Sequence, residues 1–303
     1  MNRIATAINL NYAIRQGLTG RGVGIAIMDT GIGNHPDLTG KNSCLAGFFD
    51  TFANHKDYYD DNGHGTHISG IIAGNGSASS GFYRGIAPQS RIYMIKILNH
   101  RGEGNTSNVL MGINWILQNF KEYNIRIVNI SVGSTKSRKF DETSPLVQGV
   151  NKLWESGLVV LTAAGNHGPE PYSIGAPGNS RKIITVGASD VMQTGSGRDY
   201  SGRGPTGSCI KKPDIVAPGS NVVSCLPVPS NTENYSLKKL YGSKSGTSMS
   251  TPVVSGCIAL LLQKYPDMSN KDVKLHLKNT AYDLGYPHSR QGWGLIQCDK
   301  LLR

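Results

Sequence analysis

The chain has 303 residues, of which 38% are hydrophobic and 17% charged, enough to bury a core and to exclude global disorder. The formal net charge is +11, yet the densest positive cluster, Lys136, Arg138 and Lys139, sits in a Ser-rich stretch without interleaved aromatics, which argues against a nucleic-acid surface. The five cysteines, Cys44, Cys209, Cys225, Cys257 and Cys298, form no C-x-x-C pair; a disulfide scaffold and a zinc ribbon are poor readings, free thiols in a reducing compartment are favoured, and a Cys209–Cys225 bridge stays open.

Residues 1–10 carry one Arg and no apolar run of signal-peptide length, so a soluble protein is expected, with a cytoplasmic location favoured over a secreted mature form. Residues 23–28 (VGIAIM) read as a buried strand ending at Asp29. The glycines of residues 20–24 precede that strand instead of following it, which rejects a dinucleotide fingerprint. A second strand is predicted over 91–98 (RIYMIKIL). Val109, Ile113, Ile116, Leu117 and Phe120 give helical spacing over 105–120. Residues 126–132 (RIVNISV) are β-rich, 145–154 read as a helix through Leu146, Val150, Leu153 and Trp154, and 158–161 and 183–186 are further buried strands. A long apolar helix covers 247–265; Pro252 is expected near its start, where the first turn donates no intrahelical bonds. Ser269 is a cap for a helix over 271–279. The longest apolar stretch, 253–262, is too short to span a bilayer. With no internal repeat and no long linker, residues 1–20 read as an N-terminal segment and 21–303 as a single domain.

Strands alternating with helices predict an α/β fold, a mostly parallel sheet with helices on both faces. Ligands then bind beyond the carboxyl ends of the strands. Polar residues stand at those ends: Asp29 after VGIAIM, Ser131 and Gly133 at the end of RIVNISV, and Asn166 after LVVLTAAG.

Four segments set polar residues among small neighbours: 28–38 (MDTGIGNHPDL), 61–70 (DNGHGTHISG), 163–168 (AAGNHG) and 245–256 (SGTSMSTPVVSG). Acyl transfer needs a hydroxyl nucleophile, an imidazole base, a carboxylate to orient the base, and donors for the oxyanion. Ser248, His64, Asp29 and Asn166 are of those types.

These segments resemble the signatures of the subtilase family of serine peptidases: Asp29-Thr30-Gly31 with His35-Pro36-Asp37-Leu38, His64-Gly65-Thr66-His67, Ala163-Ala164-Gly165-Asn166, and Gly246-Thr247-Ser248-Met249-Ser250 followed by Thr251 and Pro252. The resemblance runs over roughly residues 20–300 in the family's order. It implies a subtilisin-like three-layer fold and a serine endopeptidase whose acyl-enzyme forms on Ser248. His64 would be the base, Asp29 its orienter, and the Asn166 amide with the Ser248 N–H the oxyanion donors. It also implies two substrate edges, Ser131-Val132-Gly133 and Gly102-Glu103-Gly104, and primary-pocket walls at Val132, Ala163, Ala164, Gly165 and Gly175. Those walls are small or apolar, so a broad preference for large uncharged side chains is expected. Asp60, Asp61 and Glu103 are read as cleft-rim charges that accept basic residues at other subsites. Peptides and proteins are the implied substrates, and a propeptide or inhibitor the further kind of partner; nucleic acid and membrane are not expected, and the oligomeric state is left open. No cofactor is needed for catalysis. Asp37 falls where the family places a structural calcium ligand, although residues 75–83 (NGSASSGFY) hold no carboxylate and depart from the family's calcium loop.

Other readings are weaker. Asp29 alone would pass for a turn residue at a strand end, and Asn166 for a left-handed loop residue. His64 and His67 lack the Glu of the H-E-x-x-H zinc motif, so His67 reads as a packed helix residue. Residues 246–250 are not G-x-S-x-G, and the order Asp, His, Ser excludes the α/β-hydrolase elbow. A silent peptide-binding protein would lack a triad member, and none is missing; an esterase or amidase on the same triad is disfavoured by the two extended substrate edges.

Overall fold

The computed structural model describes residues 1–53, 55–131, 143–190, 199–228 and 236–303. Two short helices, α1 (Asn2–Ala7) and α2 (Asn11–Arg15), open the chain and turn Ile4, Ile8, Leu10 and Ala13 into the main core. Strand β1 (Gly24–Asp29) follows, buried at every residue, as expected of a strand covered on both faces. Next come α3 (Pro36–Thr39), β2 (Leu45–Asp50), α4 (His64–Ala73), β3 (Arg91–Lys96), α5 (Thr106–Asn119), capped by the Asn105 side chain, and β4 (Ile125–Ile130). The alternation continues through α6 (Pro145–Glu155), β5 (Val159–Ala163), β6 (Ile184–Ala188) and β7 (Ile215–Ala217). A hairpin of β8 (Val222–Cys225) and β9 (Tyr241–Lys244) brackets α7 (Leu237–Leu240). The chain ends in α8 (Thr247–Lys264), α9 (Asn270–Thr280), α10 (His288–Gln291) and α11 (Cys298–Leu301).

Strands β1 to β7 form one parallel sheet in the order β2-β3-β1-β4-β5-β6-β7. Helices α4 and α8 pack together and cover it on one side, while α5 and α6 pair over β1 and β5. This is the three-layer α/β architecture expected from the sequence. The chain leaves β1 toward β2 and leaves β4 toward β5, in opposite directions, so a topological switch point lies between the carboxyl ends of β1 and β4. Asp29 ends β1 there, and Ser131 follows β4.

Several boundaries differ from the sequence reading. The strand predicted over 91–98 ends at Lys96, and that over 126–132 ends at Ile130. Strand β2 was invisible because it is a half-buried edge strand interrupted by Gly47, with neither an apolar run nor a clean alternation. Pro252 is not in the first turn of α8: the helix starts at Thr247, and the proline lies inside it. All five cysteines are free; Cys209 is exposed and Cys225 buried, and the sulfurs in contact are instead Cys257 and Cys298, at 3.4 Å. The basic cluster at Lys136, Arg138 and Lys139 lies outside the described residues. Among the described residues no helix is long and apolar enough to cross a membrane.

Candidate active site

Asp29 is wholly buried, and its Oδ1 accepts hydrogen bonds from His64 Nδ1 at 2.7 Å and from the Thr30 N–H at 2.8 Å. The other carboxylate oxygen, Oδ2, has no hydrogen-bond partner among the described residues. A negative charge so poorly solvated strongly favours a positive neighbour. His64 keeps 23% of its side chain exposed. Burial works to lower its pKa, but the charge of Asp29 and the hydrogen bond that His64 donates to it outweigh that, and the net shift is upward from 6.5. With Nδ1 committed to Asp29, Nε2 is the nitrogen left for proton transfer.

The approach of the two segments is tight. A Cβ on Gly65 would fall 2.1 Å from the Gly31 carbonyl oxygen, so only glycine lets α4 pack this closely beneath the 29–31 turn. Asp60 registers both sides. It accepts from Thr30 Oγ1 (2.9 Å), from the Gly63 N–H (2.8 Å), and from the N–H (2.9 Å) and Oγ1 (2.5 Å) of Thr66. These bonds satisfy free N–H groups at the start of α4 and hold the carboxyl below its usual range although burial pushes the other way. Lys96, 1% exposed, donates to the Thr30 and Leu98 carbonyls and to Asp61 at 2.6, 2.9 and 2.7 Å. Asp60 is thus largely engaged in capping, whereas Asp61 keeps 42% of its side chain exposed while it pairs with the buried Lys96. Lys96 was missed, and the signal was a lone cation inside an apolar strand.

Ser248 stands at the second residue of α8. Its hydroxyl donates to the Ser131 carbonyl at 2.8 Å, and among the described residues no hydrogen bond joins it to His64. The expected serine–histidine bond is thus open in this arrangement, as such bonds often are before substrate tightens them. Asn166, on the exposed rim beyond β5, accepts on Oδ1 from the N–H (2.9 Å) and Oγ1 (3.1 Å) of Thr247. Those bonds orient the amide so that Nδ2 is left as a donor beside the start of α8. Gly246, at φ +151°, makes room: a Cβ there would lie 3.0 Å from Asn166 Nδ2.

The substrate-edge residues follow the same geography. Gly102, Glu103 and Gly104 are exposed in the loop after β3, closed by the Asn99 N–H to Glu103 carbonyl bond at 2.8 Å. Ser131 lies at the edge beyond β4, whereas Val132 and Gly133 lie outside the described residues. Ala163 ends β5, Ala164 donates to the Val186 carbonyl, and the Gly165 N–H donates to Thr247 Oγ1 at 3.1 Å. Gly175 joins this group through Gly178, whose Cβ position is 3.1 Å from the Ala163 oxygen and 3.2 Å from the Gly175 oxygen. His67 is buried, donates from Nε2 to the Val222 and Gly242 carbonyls, and is pushed by burial down to about 3, so it is a neutral packing residue.

Asp37 does not fit a calcium ion. Its Oδ1 takes the Ala78 N–H (2.9 Å) and the Ser77 hydroxyl (3.2 Å), and its Oδ2 takes the Tyr241 hydroxyl (2.6 Å). Hydrogen donors thus surround it, where calcium requires six to eight oxygens. His35 and Cys225 gather beside it. However, His35 Nδ1 accepts from the Asp37 N–H, Nε2 bonds the Leu240 carbonyl, and burial drives the Cys225 thiol well above its usual range.

A base must be neutral to accept a proton, so this geometry predicts activity that rises as pH passes through the His64 pKa. The acid limb of a kcat/KM–pH profile on a neutral peptide should have its midpoint above 6.5. A midpoint at or below that value would contradict the lift from Asp29.

Comparison with known proteins gives the same picture. The model of the subtilase family matches residues 20–294. "Serine protease AprX" of Bacillus subtilis (strain 168) is 42% identical over 278 residues, 87% of this chain and 62% of that protein. "Subtilisin Savinase" of Lederbergia lenta is 35% identical over 291 residues, covering 96% of this chain and 94% of that one. The chain therefore spans somewhat less than two thirds of AprX and nearly all of Savinase. Among solved structures, a "cold adapted subtilisin-like serine proteinase" superposes with a TM-score of 0.72 at 28% identity, over 93% of this chain and 90% of that chain.

Proposed function

Because the chain belongs to the subtilase family, we propose that it is a serine endopeptidase acting through an acyl-enzyme on Ser248. The observation that carries this reading is the 2.7 Å bond from His64 Nδ1 to the buried Asp29, which leaves Nε2 of a partly exposed imidazole for proton transfer. In this reading the Ser248 hydroxyl leaves the Ser131 carbonyl, gives its proton to His64 Nε2, and attacks the peptide carbonyl. His64 then protonates the leaving amine, and the sequence repeats with water. Asp29 stabilises the imidazolium without taking the proton. Asn166 Nδ2 and the Ser248 N–H stabilise the tetrahedral oxyanion, with the start of α8 adding its positive end.

An extended peptide would pair with the backbone at Ser131 and at Gly102, Glu103 and Gly104, as a strand added between two edges. The small walls at Ala163, Ala164, Gly165 and Gly175 favour large uncharged side chains before the scissile bond. No step passes through a metal.

A serine-directed fluorophosphonate followed by peptide mapping tests the chemistry, and a fluorogenic peptide library tests the preference. The label is expected on Ser248 and the strongest turnover after aromatic and large aliphatic residues. Labelling elsewhere, or a profile dominated by acidic residues before the cleaved bond, would refute the corresponding part.

A further inference from the structure

An α-helix bonds each N–H to the carbonyl four residues earlier, and proline has no N–H to give. In α8, the bond missing at Pro252 is the one that would have reached the carbonyl of Ser248. That carbonyl is not left empty: Ser131 Oγ donates to it at 3.3 Å. The Ser131 hydroxyl is itself held by Asn129 Nδ2 at 2.9 Å, and Asn129 Oδ1 accepts from Ser255 Oγ at 2.9 Å. Asn129 and Ser255 are wholly buried and Ser131 is 3% exposed, so water does not compete for these bonds. The lacing also runs in return, since Ser248 Oγ donates to the Ser131 carbonyl.

We propose that Ser131, oriented by Asn129, is a positioning residue for the nucleophile: its hydroxyl supplies, from just beyond the end of strand β4, the hydrogen bond that Pro252 withholds from helix α8. This inference rests on Ser248 being the nucleophile. The carbonyl of Ser248 fixes the torsion of its own backbone and hence the direction in which its Cα–Cβ bond points. A helix interior would normally set that direction through its own ladder. Here the ladder is broken at this carbonyl, and the direction is set from the strand that carries the substrate edge. The nucleophile is then referred to the end of β4 instead of to its own helix start.

The distinguishing experiment is a double-mutant cycle of Ser131→Ala and Pro252→Ala, read as kcat and KM on a fluorogenic peptide. Ser131→Ala alone is expected to lower kcat about 10- to 100-fold, the scale of a small misplacement of reacting groups. KM should change less than about twofold, because substrate would pair only with the backbone of residue 131, and the acid limb of the pH profile should not move, because His64 and Asp29 are untouched. In the Pro252→Ala background the restored N–H can reach the Ser248 carbonyl, and Ser131→Ala should then cost no more than about twofold. Equal losses in both backgrounds, or no loss in either, would overturn the proposal. If Pro252→Ala does not fold, Ser131→Thr and Ser131→Val, nearly equal in shape, decide the matter: the hydroxyl-bearing variant should retain most of kcat and the other should not, and equal rates would sink the idea. A wild-type chain that neither cleaves peptides nor labels at Ser248 would instead remove the premise.

Discussion

Ser248→Ala should lower kcat/KM on a fluorogenic peptide by about 10⁵- to 10⁶-fold, the scale known for subtilisin, while leaving the fold intact. The substitution deletes one half-buried oxygen, whose visible bond goes to the Ser131 carbonyl. Losing such a bond costs about 1 kcal/mol of stability, so far-UV circular dichroism should be unchanged and the melting temperature nearly so. The loss would therefore be chemical. What survives should be the contribution of the oxyanion donors and of substrate binding, which act on any attacking water. A variant that keeps more than a tenth of the activity would mean that another nucleophile carries the reaction.

Asp29→Asn should cost about 10⁴-fold in kcat with little change in KM. Asp29 Oδ1 now receives the proton on His64 Nδ1, and the buried negative charge lifts the imidazole against its own desolvation. An amide removes the charge and offers an N–H to Nδ1, which places the imidazole proton on Nε2, the nitrogen that has to accept from serine. The pH profile supplies a second readout with a definite sign. With the two larger raising influences gone and only the lesser one of Asp60 left, the acid limb of the residual activity should move to lower pH than in the wild type. A limb that stays in place, or a loss smaller than tenfold, would mean that the 2.7 Å contact does not set the tautomer.

The central strands were legible because β1 and β3 to β6 are buried on both faces and must be almost wholly apolar. β2 was not, since an edge strand with one covered face tolerates Gly47 and leaves no periodic signature. Asp29, His64, Ser248 and Asn166 could be picked out because each is a reactive or polar type surrounded by residues too small to hide it. The direction of the Ser248 hydroxyl could not, because a rotamer answers to acceptors from elsewhere in the chain, here Ser131. The same holds for Asp60 and Lys96, whose partners lie on other segments, and for Asp37, whose lone pairs are taken by Ala78 and by Tyr241 from far along the chain. Sequence spacing carries the inventory of a site, whereas the allocation of its lone pairs is decided by three-dimensional neighbours.

Asp60 gives this arrangement a mechanical character. Through Thr30 it grips the stretch that bears the acid, and through Gly63 and Thr66 the start of the helix that bears the base, so acid and base travel as one body. The serine is held by other bonds, at the start of α8 against Ser131 beyond the end of β4. A shift of α8 alone would change the gap across which the proton passes and leave the carboxylate–imidazole pair undisturbed. The serine-to-imidazole gap and the acid–base pair are in this way held by separate sets of hydrogen bonds, so a substitution can alter one and spare the other.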